Sequence, residues 1–188
     1  MSKIIDIPNY KLDEIISEKL SQSEKVTIVV SFFFVSGLKL ILNGLNRFED
    51  KSKITIVTSN YLKSTQPEAL EILLKLKNSG AKVFLYDSLS SGKSFHIKSY
   101  GFKLFDSKYS LIVGSSNMSL TALREGNELN MEDNSLSSYE SFENLIHNIT
   151  EDPNTKALSQ DLIEEYKNVY EEGENTFIKN TDNIEEIR

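Results

Sequence analysis

The sequence predicts an α/β fold: a mixed, largely parallel sheet with helices on both faces. Three observations carry this. Val26 to Phe34, Ile54 to Thr58 and Ala81 to Tyr86 are short apolar runs rich in β-branched and aromatic residues, the pattern of strands buried on both faces. Amphipathic helical stretches separate them. Strand–helix–strand–helix–strand within about sixty residues implies right-handed parallel crossovers and a layered domain.

Each element follows in turn. A helix is expected over Lys11 to Leu20. After the first strand, Ser36-Gly37 turns into a helix with Leu38, Ile41, Leu42 and Leu45 on one side. The next helix opens at Thr65-Gln-Pro-Glu68, where Thr65 can cap, Glu68 can close a capping box and Pro67 fits the first turn. Gly80 stops it as the residue beyond the C-cap. Ser88 to Ser94 is a Ser/Gly loop. Phe95 to Phe105 and Tyr109 to Val113 are adjacent strands joined by a tight turn at Asp106-Ser-Lys108. A short helix is expected over Ser119 to Glu125 and a strand over Glu128 to Met131. Amphipathic helices follow at Ser141 to Ile149 and Leu158 to Tyr170. Residues 1–170 make one domain; residues 171–188 read as an acidic tail or linker without assigned structure.

Composition narrows the function. The chain has 188 residues, 39% hydrophobic and 26% charged, which fits one soluble domain with its own core. It has no cysteine, so disulfides, thiolate ligands and Cys nucleophiles are excluded, and a reducing cytoplasm is the expected location. His96 and His147 are the only histidines, which argues against a multi-histidine metal site. The first twenty residues carry Asp6, Asp13, Glu14 and Glu18, unlike a secretory signal. The longest apolar run, Val26 to Leu42, is broken by Ser31, Ser36, Gly37 and Lys39, so no membrane span is expected.

The net charge of −7 is unevenly placed. Residues 151–188 hold eleven acids against Lys156, Lys167, Lys179 and Arg188, and the rest of the chain balances. The window 93–124 is basic: Lys93, Lys98, Lys103, Lys108 and Arg124 face only Asp106. A basic patch is therefore expected at the site described next.

Two motifs carry chemistry. In Ser94-Phe-His-Ile-Lys-Ser-Tyr100, strand alternation would send His96 and Lys98 to one face. In Gly114-Ser-Ser-Asn-Met-Ser119, a polar corner after an apolar strand, Ser115 and Asn117 offer neutral hydrogen-bond donors, and Ser116 has the parity of a capping or packing residue. A cation, an imidazole and an amide on one surface make a cradle for phosphate. Gly-Ser-Ser-Asn also suits a tight turn, and the two roles are compatible.

These residues resemble the phospholipase D superfamily, whose motif is His-x-Lys, four residues, then Asp, followed by Gly-Ser-x-Asn and an acid. His96, Lys98, Gly114, Ser115 and Asn117 match, and Glu128 stands where the acid is expected. Val29-Val-Ser-Phe to Ser36-Gly-Leu, Thr58-Ser-Asn-Tyr and Pro67-Glu-Ala-Leu are similar to a narrower group, the nuclease-like domains at the N-terminus of some bacterial DEAD/DEAH-type helicases and related single-motif restriction endonucleases. The resemblance covers roughly residues 20–150 and departs at Lys103, which occupies the Asp position, structural in the family.

The resemblance implies a metal-independent phosphodiesterase or nuclease acting on nucleic acid, DNA first, through a phosphohistidine on His96. Lys98, Ser115 and Asn117 would hold the phosphate oxygens, and Glu128 would accept from the far ring nitrogen of His96. Arg124, Ser119 and Thr121 are further phosphate candidates. No metal or other cofactor is implied. A second imidazole is needed to protonate the leaving oxygen. His147 lies in a helical pattern, so the second copy of His96 would come from another subunit of a homodimer sharing one active site. Partners are then nucleic acid, a second copy and a fused or associated helicase, with no membrane. The alternative is a catalytically weak nucleic-acid-binding or dimerisation module of a larger helicase or restriction protein. A phospholipid-directed enzyme has less support, because no basic interfacial helix is present.

Overall fold

The computed structural model describes residues 2–174. Its strands are β1 (Lys3–Ile7), β2 (Ser23–Val30), β3 (Ile54–Ser59), β4 (Lys82–Tyr86), β5 (Lys98–Leu104), β6 (Tyr109–Gly114), β7 (Glu128–Asp133) and β8 (Thr155–Ala157). The helices are α1 (Leu12–Ser21), α2 (Val35–Arg47), α3 (Pro67–Asn78), α4 (Ser88–Ser91), α5 (Leu136–Thr150) and α6 (Gln160–Glu174). One eight-stranded sheet runs in the order β1-β7-β6-β5-β2-β3-β4-β8.

The sheet is mixed, as expected, with helices on both faces. Its parallel part is confined to β2–β3 and β3–β4; the other five pairings are antiparallel. The reason is connectivity. β2, β3 and β4 are joined through α2 and α3, helical crossovers that return the chain for a parallel partner. From β5 to β7 the connections are a tight turn at Ser107, with φ +60°, and one turn of π-helix at Thr121–Glu125. The larger core, including Ile28, Val30, Ile54, Ile56, Tyr100 and Phe102, contains residues of α1, α2, α3 and α6. The opposite face is covered by α5, whose Phe142 and Ile146 join Val29, Val57 and Leu111.

Several local expectations shift. Thr65 does not cap α3: it is fully buried, and its hydroxyl donates to Ser59 O at 2.8 Å, leaving Gln66 as the N-cap residue. Pro67 does open the helix, and Gly80 leaves it at φ +117°, a backbone that glycine adopts without strain. Within the expected 88–94 loop, Ser88–Ser91 form a helical turn capped by Asp87, which accepts from Ser90 N at 3.0 Å. α5 starts at Leu136, before the expected Ser141, because Ser135 accepts from Ser138 N. β1 and β8 were not anticipated; both are edge strands too short for a pattern to declare itself. α6 continues to Glu174, so no break falls at 170; the remainder of the expected tail, 175–188, lies outside the described residues. No helix among the described residues is long and apolar enough to cross a membrane.

Candidate active site

Topology gathers the site. β2 and β3 are parallel and end at one edge; β5, antiparallel to β2, begins there; β6 ends there and β7 begins there. Phe32, Tyr61, His96, Lys98, Ser115, Asn117 and Glu128 all fall at or just beyond these strand ends.

β5 begins at Lys98, so His96 stands in the extended segment before it rather than within the strand. His96 is exposed, whereas Lys98 is only 5% exposed. The Lys98 ammonium has no carboxylate ion-pair partner among the described residues. It donates weakly to His96 O at 3.4 Å and lies 5.9 Å from the centre of the Phe32 ring. Burial pulls the Lys98 pKa below the usual ammonium range, and the Glu128 charge partly offsets that. Desolvation likewise lowers the His96 pKa, and Lys98 adds to the shift. Both effects favour the neutral form of the imidazole.

The Gly-Ser-Ser-Asn corner is stitched to the segment after β2. Met118 N donates to Phe32 O at 3.1 Å, Phe34 N donates to Met118 O at 2.9 Å, and Phe33 forms a β-bridge with Met118. Close approach of α2 makes this possible: a Cβ on Gly37 would sit 2.4 Å from the Met118 carbonyl carbon and from Ser119 N. Ser116 is buried, its amide donating to Asn130 Oδ1 and its hydroxyl accepting from Asn130 Nδ2 at 2.9 Å. Tyr100 donates to Ser116 O at 3.0 Å. Asn117 is half-buried, with its Oδ1 buried and unpartnered among the described residues, a cost of about 1–3 kcal/mol.

Two expected roles change. Glu128 makes no hydrogen bond to His96; its carboxylate accepts from the Ser115 hydroxyl. Ser115, expected as a free donor to phosphate, has committed its proton to that carboxylate and accepts from Leu129 N at 3.1 Å. No hydrogen bond of the His96 ring is found among the described residues; its neighbours are Phe32 and Tyr61, each edge-on at 6.2 Å.

Three of the five cations of the expected basic patch are committed to acids. Lys103 pairs with Glu24, Lys108 with Asp106, and Arg124 is held bidentately by the buried Asp13 at 2.9 and 2.7 Å. Ser119 accepts from Ala122 N. Lys103 lies five positions along β5 from Lys98, about 17 Å at strand rise, so this departure from the motif does not touch the site. His147 is exposed on α5, beside a groove shared with Thr27, Thr55 and Lys82.

Phe32 and Tyr61 are the neighbours that the motif reading passed over. Both lie in upstream segments noted for their resemblance, Val29-Val-Ser-Phe and Thr58-Ser-Asn-Tyr, but only the tertiary contacts show a ring beside His96. On its other side His96 opens on a cleft of ≈ 610 Å³ lined by Lys98, Ser99, Val113, Phe142 and Leu145.

A family model for the cardiolipin synthase PLD-like domain matches residues 16–150. The fold is similar to that of Nuc from Salmonella typhimurium, a phospholipase D family member, with a TM-score of 0.60, 15% identity and coverage of 84% of this chain and 97% of that one. It is similar to NucT from Helicobacter pylori, with a TM-score of 0.61, 16% identity and coverage of 84% and 98%. Yeast tyrosyl-DNA phosphodiesterase matches at a TM-score of 0.50 and 13% identity over 71% of this chain and 32% of that one. No curated protein matches the chain.

Proposed function

Because the chain belongs to the phospholipase D superfamily, we propose that it is a metal-independent phosphodiesterase that cleaves nucleic acid, DNA in the first instance. One observation carries this reading: an exposed imidazole with no ring hydrogen bond among the described residues, beside a buried ammonium with no ion pair among them. A phosphodiester supplies what both lack, an electrophile and an anion.

The His96 ring nitrogen attacks phosphorus. An N–P bond forms, the P–O bond to the leaving group breaks, and an acid protonates the departing oxygen. Water then attacks phosphorus, the N–P bond breaks, and the water proton returns to the base that supplied the first. Lys98 neutralises a non-bridging oxygen as a point charge, and the Asn117 amide donates to the same group. Ser115 fixes Glu128, whose charge acts on Lys98.

The second imidazole comes from a second copy of the chain. Support lies in an exposed apolar patch on β1, β6 and β7. Ile4, Met131 and Val113 are cross-strand neighbours, and Leu129 follows Glu128. These four side chains are 44–59% exposed, and they border the His96 cleft through Val113. Such a patch fits burial against its own mate across a two-fold axis.

The test is cleavage of labelled oligonucleotides in EDTA by the wild type and His96→Ala, with acid-labile phosphate trapped on the protein. Cleavage lost in the variant supports the reading. A strict requirement for Mg²⁺ would overturn the mechanism, and binding without cleavage by the wild type would favour a binding module. A monomer at micromolar concentration by light scattering would remove the shared site.

A further inference from the structure

Two aromatic rings border the nucleophile, and the phosphate chemistry requires neither. Phe32 follows β2 and Tyr61 follows β3. Their planes lie within 14° of parallel, with centroids 6.2 Å apart, and His96 meets each edge-on. Tyr61 is half-buried, and no hydrogen bond of its hydroxyl is found among the described residues. The ring, not the hydroxyl, is what the position offers.

The backbone after Tyr61 is strained. Leu62 and Lys63 hold φ of +54° and +55°, left-handed conformations that non-glycine residues adopt at a cost. A set of bonds holds them there. Asn60 Nδ2 donates to Asp87 at 2.7 Å, Asn60 Oδ1 accepts from Leu89 N at 3.2 Å, and Tyr61 N donates to Ser59 Oγ at 3.3 Å. The turn presents Leu62 at 56% exposure, and Lys63 within it has no ion-pair partner among the described residues. With Lys103, Lys108 and Arg124 committed elsewhere, few cations remain here to hold a polyanion.

We propose that Tyr61, backed by Phe32, is a stacking platform for the unpaired base next to the scissile phosphate, so that the substrate is single-stranded nucleic acid. This rests on the phosphodiesterase reading above. Every base has a π-face, and a single strand can offer it while a duplex keeps its bases stacked on each other. Phosphate contacts position the strand without reading it. Where they are few, stacking supplies the affinity.

The test measures binding by fluorescence anisotropy with an uncleaving His96→Asn variant. The probes are an oligothymidylate, an abasic oligomer of equal length, and a duplex. Oligothymidylate should bind roughly tenfold more tightly than the abasic strand. Tyr61→Phe should keep that ratio; Tyr61→Leu, which retains apolar bulk, should bring it close to one while thermal melts show a protein still cooperatively folded at the assay temperature. In the active enzyme Tyr61→Leu should raise KM for oligothymidylate by more than it lowers kcat. With Lys98 and Lys63 as the contacts, the salt slope should be near −1.4, at about −0.7 per phosphate on a single strand. A base-to-abasic ratio unchanged in Tyr61→Leu, duplex binding as tight as single-strand binding, or base-independent competition by anionic phospholipid vesicles would each overturn the platform. Hydrolysis of bis(p-nitrophenyl) phosphate by the wild type separates the two readings. No hydrolysis, with base-dependent binding intact, overturns the catalytic reading and keeps the platform.

Discussion

Replacing Lys98 by Met should make the protein more stable and nearly inactive. The Lys98 side chain is 5% exposed, and its ammonium has one long hydrogen bond, to His96 O at 3.4 Å, and a distant ring face at 5.9 Å. Removing an ammonium from water costs several kcal/mol even after relaxation. One weak hydrogen bond, a cation–π contact and the nearby Glu128 charge return only part of that. The lowered pKa points the same way. A depressed folded value means the stabilising balance holds only above the unfolded value near 10.4 and is lost as pH falls, so at neutral pH the charge is a net cost. Methionine keeps the length and removes the charge. We expect a gain of about 1–2 kcal/mol, or roughly 2–8 °C in Tm for a domain of this size. The assay is thermal unfolding of both proteins with and without inorganic phosphate. Phosphate should raise the wild-type Tm and leave the variant unmoved, while kcat/KM on an oligonucleotide falls by about 10²–10³. A variant destabilised by about 3 kcal/mol or more, as when a structural ion pair is broken, would refute the assignment of Lys98 as a cation held for an anion.

Three further outcomes follow from the same geometry. In an NMR titration, where His96 and His147 are the only imidazoles, His96 should titrate below the ordinary value of about 6.5, so the acid limb of activity lies below that pH; stability from this group is present above 6.5 and lost as pH falls through the lower folded value. A His96 midpoint at or above 6.5 contradicts its placement. Gly37→Ala should cost at least about 1–3 kcal/mol and lower kcat, because the new methyl meets the Met118–Ser119 backbone beside Asn117. An unchanged Tm in that variant would show that the corner is not held by this contact. Arg124→Ala should lower Tm, leaving Asp13 buried without its partner, while oligonucleotide affinity stays within twofold; a large loss of affinity at full stability would restore Arg124 as a phosphate contact.

Much of the fold was legible. Apolar runs at 26–34, 54–58 and 81–86 are strands because β-branched and aromatic side chains pack well in a pleated interior, and the helices between them show one buried stripe. The two edge strands were not legible, because five or three residues give period-two alternation no room. The hairpin half of the sheet was foreseen as adjacent strands, but its share of the pairings was not, since strand direction depends on connection length as well as strand composition.

The site divides the same way. Residue types and spacing brought out His96, Lys98, Ser115 and Asn117 as groups that could cradle a phosphate, and the family resemblance added Glu128. Tertiary structure decided what each one touches. Glu128 went to Ser115 rather than to His96, and three cations of a basic window were spent on Glu24, Asp106 and Asp13. Phe32 and Tyr61, 29 positions apart, met at one ring because parallel strands end together. Order along a chain records which groups are present; which of them neutralise one another depends on distances that only the folded sheet sets, and charge and ring contacts decay over a few ångströms.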